Sequence, residues 1–121
     1  MALGIPAIVF VVVGLGWWLA PRIAASQFGL VLQEGRGLSS QLGDFSAFFL
    51  TLGGCVLIAA TTGARVWLYP AMMLTGLAAV GRLVAWGVHG AALTVDLIAV
   101  ELAVTAFLYY AARSGGVGEG T

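Results

Sequence analysis

Ala79–Leu102 reads AVGRLVAWGVHGAALTVDLIAVEL, and the fold turns on how this stretch is read. Two apolar runs flank a turn at Gly90, and four ionisable side chains, Arg82, His89, Asp96 and Glu101, stand inside them. A lipid-facing charge at the centre of a bilayer costs about 3 kcal/mol on insertion scales and more in simulations. Charges held there must face one another, water or a ligand. The stretch predicts a helical hairpin of bilayer length with an internal polar site.

The rest of the chain asks for the same solvent. Of its 121 residues 61% are apolar, and its charge is carried by five arginines and five acidic residues with no lysine. A water-soluble domain of this size could not cover so much apolar surface. Zero net charge without a basic cluster excludes nucleic acid as a partner, because binding it takes several phosphate-neutralising cations on one face. A hydrocarbon core of about 30 Å takes about 20 helical residues, or a few less with local thinning. Four segments meet that requirement: about Gly4–Ala20, Phe45–Thr62, Val66–Val88 and Ala91–Ala112. Backbone polar groups in lipid must be satisfied within the chain, so unbroken apolar runs of this length predict helices. The expected fold is all-α, an integral membrane four-helix bundle. Pro21, Gly63 and Gly90 end its first three helices, and Pro70 falls in a first turn, where it is tolerated.

Residues 22–44 are too many for a passive connection and mix apolar Ile23, Phe28, Leu30, Val31 and Leu32 with Gln33, Glu34 and Arg36. They predict a structured cap or short interfacial helix between helices 1 and 2, punctuated by Gly35, Gly37 and Gly43, with Asp44 capping the second span. Residues 114–121, with four glycines, are expected to form a flexible tail. Trp17, Trp18, Trp67, Tyr69, Tyr109 and Tyr110 lie near helix ends, as an interfacial aromatic belt requires. Four spans put Arg65 and Arg113 on the side of the termini and Arg22 and Arg36 opposite, a tie by count. The first two abut helix ends, which favours cytoplasmic termini in an inner membrane.

Helical spacing groups Thr75, Arg82, Trp86 and His89 on the third span, and Thr94, Glu101 and Thr105 on the fourth. At 1.5 Å per residue Arg82 lies about 12 Å from Gly90, Glu101 about 16 Å and Asp96 about 9 Å, so the guanidinium can reach either carboxylate. One reading is a structural ion pair that sets the register of the hairpin. The other is a polar site for a head group, an anion or a proton. One cation then faces two carboxylates, so water or another group must enter. On this reading Arg82 and Glu101 form the centre, Asp96, His89 and Asp44 the mouth, and Trp86 a wall.

No residue is assigned a catalytic role, and no motif announces a cofactor or metal. Cys55 and His89 are the sole cysteine and histidine, which excludes a disulfide or a zinc site with several Cys or His ligands within one chain. Gly14 with Gly16, and Gly53 with Gly54, lack the spacing and lysine of a nucleotide site and read as helix contacts. Small residues repeat as Ala47, Thr51, Cys55 and Ala59, as Ala71, Thr75 and Ala79, as Gly81 and Ala85, and as Ala99 with Ala103. Such ridges serve close packing within a bundle, or docking of another subunit or second copy.

The order of features carries a family resemblance: Leu19-Ala20-Pro21 closing helix one, a polar cap leading to Asp44, Gly53-Gly54 in helix two, Gly81-Arg82-Leu83 in helix three, a turn at Gly90 and Glu101 in helix four. The chain resembles the small bacterial four-helix membrane proteins of domain of unknown function 4345, themselves similar to DoxX-like proteins, from about Gly4 to Arg113. It departs from them in carrying Ser46 and Ala47 where an arginine often follows the helix-two aspartate. The resemblance implies the four-helix fold and no settled activity, while the link of DoxX-like proteins to quinone and oxidoreductase complexes favours accessory roles by analogy. The expected function is a small non-catalytic membrane protein, either an accessory subunit or the binder of a lipid- or quinone-like ligand at the Arg/Glu site. A proton- or ion-coupled transporter or relay is the first rival, and a quinone-linked redox component the second.

Overall fold

The structure, a computed structural model, describes residues 2–114, and their regular secondary structure is helical throughout. Five α-helices follow one another: α1 (Gly4–Leu19), α2 (Pro21–Gln27), α3 (Gly35–Thr62), α4 (Leu68–His89) and α5 (Val95–Ser114), with a single 3-10 turn at Arg65–Trp67 leading into α4. Three segments, Gly35–Thr62, Arg65–His89 and Val95–Ser114, are long and apolar enough to cross a membrane, and α1 is a shorter apolar helix of 16 residues. Large apolar side chains such as Ile5, Ile8 and Val12 on α1, and Met73, Leu77 and Val80 on α4, are exposed. A helix surface of that kind needs lipid or a partner rather than water as its surroundings. The chain forms two compact units that divide between Leu57 and Ile58.

In the first unit α1 and α3 pack through glycine. A methyl group added at Gly53 would stand 2.8 Å from the Val11 backbone nitrogen and 2.9 Å from the Ala7 carbonyl oxygen, and one added at Gly14 would stand 2.7 Å from Leu50 Cγ. The two backbones approach closely because no Cβ intervenes. Gly16 and Gly54 border open space, so only one glycine of each expected pair makes the contact.

The cap differs from its sequence reading. α2 is the short helix expected between helices 1 and 2, with Pro21 in its first turn. Beyond it, Gly35–Asp44 is not a loop but the first ten residues of α3, so Gly43 interrupts nothing and Asp44 is an exposed residue inside the helix rather than its cap. The helix starts instead at Gly35, whose φ of +58° suits glycine alone, with the Glu34 carbonyl accepting from the Gly37 and Leu38 amides. Gln41 holds the preceding loop against it: its Oε1 accepts from the Gln33 amide at 2.7 Å and its Nε2 donates to the Val31 carbonyl at 3.1 Å. Once those loop groups are satisfied by a side chain of α3, helix can continue through a polar segment that sequence alone reads as punctuation.

Trp17 is fully buried and stacks on Phe45 with ring centroids 4.6 Å apart, while Phe28 contacts Trp17, Phe45 and Phe49. Trp17 is therefore a core residue and not a belt residue. Trp18, Trp67, Tyr69, Tyr109 and Tyr110 are exposed, as a belt requires.

In the second unit Gly63, with φ +76°, ends α3, and Gly90, with φ +75°, ends α4. The Gly90 and Ala91 amides both donate to the Ala85 carbonyl, closing the helix end. The fourth span begins later than expected, at Val95 rather than Ala91, because residues 90–94 make the turn. α4 and α5 form a hairpin. Leu68, Ala71, Thr75 and Ala79 line the buried side of α4, and Leu108, Ala111 and Ala112 that of α5. Ala99 and Ala103 are exposed, as are Ala47 and Thr51 on α3, so those parts of the expected small-residue ridges do not pack. The proposed tail lies outside the described residues except Ser114, the last residue of α5.

Candidate functional site

Arg82 and Glu101 meet. Arg82 Nε donates to both oxygens of the Glu101 carboxylate, at 2.9 Å each, with 30% of the arginine side chain and 15% of the glutamate exposed. The hairpin geometry explains the choice of partner. Thr75 and Thr105 hydroxyls touch at 2.6 Å and fix the register. Arg82 is seven residues on from Thr75 and Glu101 four back from Thr105, so Arg82 stands about 4.5 Å nearer the Gly90 turn than Glu101 does. Side chains lean towards the N-terminus of their own helix, so in an antiparallel hairpin these two lean towards each other.

Asp96 falls elsewhere. It lies five residues before Glu101, about 140° around the helix, in the first turn of α5, where a carboxylate is favourable at the positive end of the helix dipole. It is exposed, as are His89 at the end of α4, Trp86 at 50% exposure and Asp44 on α3. Among the described residues none of Asp96, His89 and Asp44 joins an ion pair. Of the six expected site residues, then, the structure joins two, Arg82 and Glu101. Trp86 stands one helical turn beyond Arg82, close enough to border it.

The threonines form a clasp beneath the ion pair. Thr105 Oγ1 lies 2.8 Å from the Glu101 carbonyl oxygen, and Thr75 Oγ1 lies 3.2 Å from that of Ala71 and 3.3 Å from that of Met72. Two hydroxyl protons serve these contacts, so one hydroxyl donates to the other, which then donates to a backbone carbonyl. The chain ends at a backbone carbonyl and does not reach the Glu101 carboxylate. A second interhelical bond closes the far end: Arg65 Nη1 donates to the Ala112 carbonyl at 3.1 Å. Ala112 is one of the last residues of α5, whose carbonyls lack helical partners, so a cation from the 3-10 turn before α4 suits it. Sequence reading placed Thr75 and Thr105 on the polar stripes but gave Arg65 only an orientation role; a cation just before one helix and opposite the end of the next was the available signal.

The remaining chemistry lies in the unused donors. Arginine carries five N–H groups, and the bond to Glu101 uses one. The two terminal amino groups of Arg82 have no acceptor among the described residues. No group of three or more His, Cys, Asp or Glu side chains is placed to hold a metal ion among these residues. Set beside protein-family models, curated proteins and solved structures, the chain finds no significant match in any of the three.

Proposed function

We propose that this chain is a small non-catalytic integral membrane protein, a four-helix bundle in which α1, α3, α4 and α5 cross an inner membrane, and that it binds a lipid- or quinone-like ligand at Arg82. The observation that carries the reading is the one-nitrogen pairing of Arg82 with Glu101, which leaves both terminal amino groups of a part-buried guanidinium in a bilayer-length hairpin without acceptors among the described residues. Unsatisfied donors at such depth cost several kcal/mol, so an acceptor from outside the hairpin completes the site. The ligand site suits an accessory subunit of a larger membrane complex or homo-oligomer, with termini on the cytoplasmic side. Kinship with the domain of unknown function 4345 and DoxX-like proteins is part of the same proposal.

Gentle purification from the source membrane, with mass spectrometry of everything retained, tests it. A stoichiometric amphiphile that is lost in Arg82→Gln supports a binding protein, and a stoichiometric protein partner supports an accessory subunit. A lone chain retaining neither sinks both forms of the reading. Asp96, which joins no ion pair among the described residues, favours a second reading, a proton- or ion-coupled transporter or relay that works through this carboxylate. That reading requires pH-dependent flux in proteoliposomes that Asp96→Asn abolishes; the hydroxyl chain ending on a backbone carbonyl gives it no route to the Glu101 carboxylate.

A further inference from the structure

The charge balance around Arg82 specifies what kind of acceptor completes it. We infer that the Arg82 terminal amino groups receive a neutral carbonyl oxygen of an amphiphile, an acyl ester or a quinone, and not a phosphate anion. This rests on the reading of Arg82 as a ligand site. The guanidinium charge is already neutralised by Glu101 at 2.9 Å, so an incoming anion would make a triad of net charge −1 in a medium of low dielectric. A carbonyl adds acceptor lone pairs and no charge. The hairpin itself supplies no second arginine or lysine to offset an anion: Arg82 is the one such residue within 66–112, and His89 is exposed at the end of α4.

Depth agrees with charge. α4 has 22 residues, about 33 Å, and Arg82 stands seven residues, about 10 Å, from its His89 end. With α4 across a core of about 30 Å, that position lies beneath the phosphate layer, at the level reached by ester carbonyls and the heads of apolar amphiphiles. The exposed side chains next to Arg82 along α4 are apolar. Trp86, one turn towards the membrane surface, and Leu83 are half-exposed, at 50% and 47%, and neither carries a charge. An exposed indole one helical turn from Arg82 offers a flat face for a ring or acyl chain while the amino groups take the carbonyl.

Diacyl and diether phosphatidylcholine share their head group and differ in the ester carbonyls, which makes them the probes. The full chain in detergent is equilibrated with equal amounts of the two, and native mass spectrometry counts what stays bound. The diacyl form is expected to be retained at least ten-fold over the diether form. Arg82→Gln should abolish the preference, and Trp86→Ala, outside the ion pair, should weaken it several-fold. Glu101→Gln leaves the site with a net positive charge and should turn the preference towards diether phosphatidylglycerol, an anion without ester carbonyls. Adding decyl-benzoquinone identifies the source: tighter retention than the diacyl lipid assigns a quinone, weaker retention a lipid. Equal retention of the diacyl and diether forms by the wild-type chain overturns the inference. So does a wild-type preference for diether phosphatidylglycerol that depends on Arg82, which leaves the ligand site standing with an anion in it. If no probe is held in an Arg82-dependent way, the ligand-site reading falls as well.

Discussion

Thr75 and Arg82 lie seven residues apart on one face of α4, yet their contributions to the hairpin differ in kind. The threonine hydroxyl is buried and its partners are all protein, so its bond to Thr105 is structural. Interhelical hydrogen bonds in membranes are worth about 0.6 to 2 kcal/mol, because the separated helices also find partners. Thr75→Val should lower hairpin stability by that amount in a denaturation assay in micelles, and Thr75→Val with Thr105→Val should cost less than the sum of the two singly. The ion pair is partly exposed, and its stability contribution falls between the small value of surface pairs and the larger cost of breaking buried ones. Arg82 and Glu101 were both legible in the sequence, since a charge in an apolar run stands out. Their pairing was not: distance from the turn left Asp96 equally reachable until the register set by Thr75 and Thr105 and the late start of α5 removed it.

Elements are decided by where backbone can approach backbone. Gly53 and Gly54 are neighbours in α3 and read alike, but Gly53 faces Val11 and Ala7 across the contact with α1 while Gly54 borders open space. Gly53→Ala should destabilise the protein by about 1 to 3 kcal/mol, since backbone atoms must move to admit the methyl group. Gly54→Ala should stabilise it by about 0.5 to 1 kcal/mol, through the better helix propensity of alanine. Thermal unfolding of the two variants in the same detergent makes the comparison, and equal effects would remove the close contact from the account. The same tertiary logic lengthens α3. Gly35, Gly37 and Gly43 read locally as breakers, whereas in the fold Gly35 supplies a positive φ, Gly37 leaves room for Gln33, whose Cβ lies 2.8 Å from where an added methyl would sit, and Gln41 ties the cap to the helix.

For the whole molecule the ruling fact is the amount of apolar surface that stays exposed after folding. Three segments have the length and hydropathy to cross a membrane, and side chains along α1, α4 and α5 remain uncovered. The chain should stay in the membrane pellet after alkaline carbonate extraction and enter solution only with detergent. Release into the carbonate supernatant would mean that these faces are covered by other protein and not by lipid. α1, with 16 residues, is only about 24 Å long, so a crossing by this helix would require a thinned bilayer or snorkelling flanks.

Composition and the length of the apolar runs determined on their own that the chain is helical and suited to lipid, because the penalty for unsatisfied backbone in hydrocarbon leaves few alternatives. The stops at Gly63 and Gly90 were equally readable, since a helix end with positive φ selects glycine whatever surrounds it. What the tertiary structure alone decided were the contacts that depend on rotation about a helix axis and on register between helices. It paired Arg82 with Glu101, put Trp17 in a core instead of a belt, joined Thr75 to Thr105, and drew Asp44 into α3. Each depends on which residue of a second segment stands opposite. A period of 3.6 residues sorts side chains onto faces, but the partner of each face is set only when two helices pack.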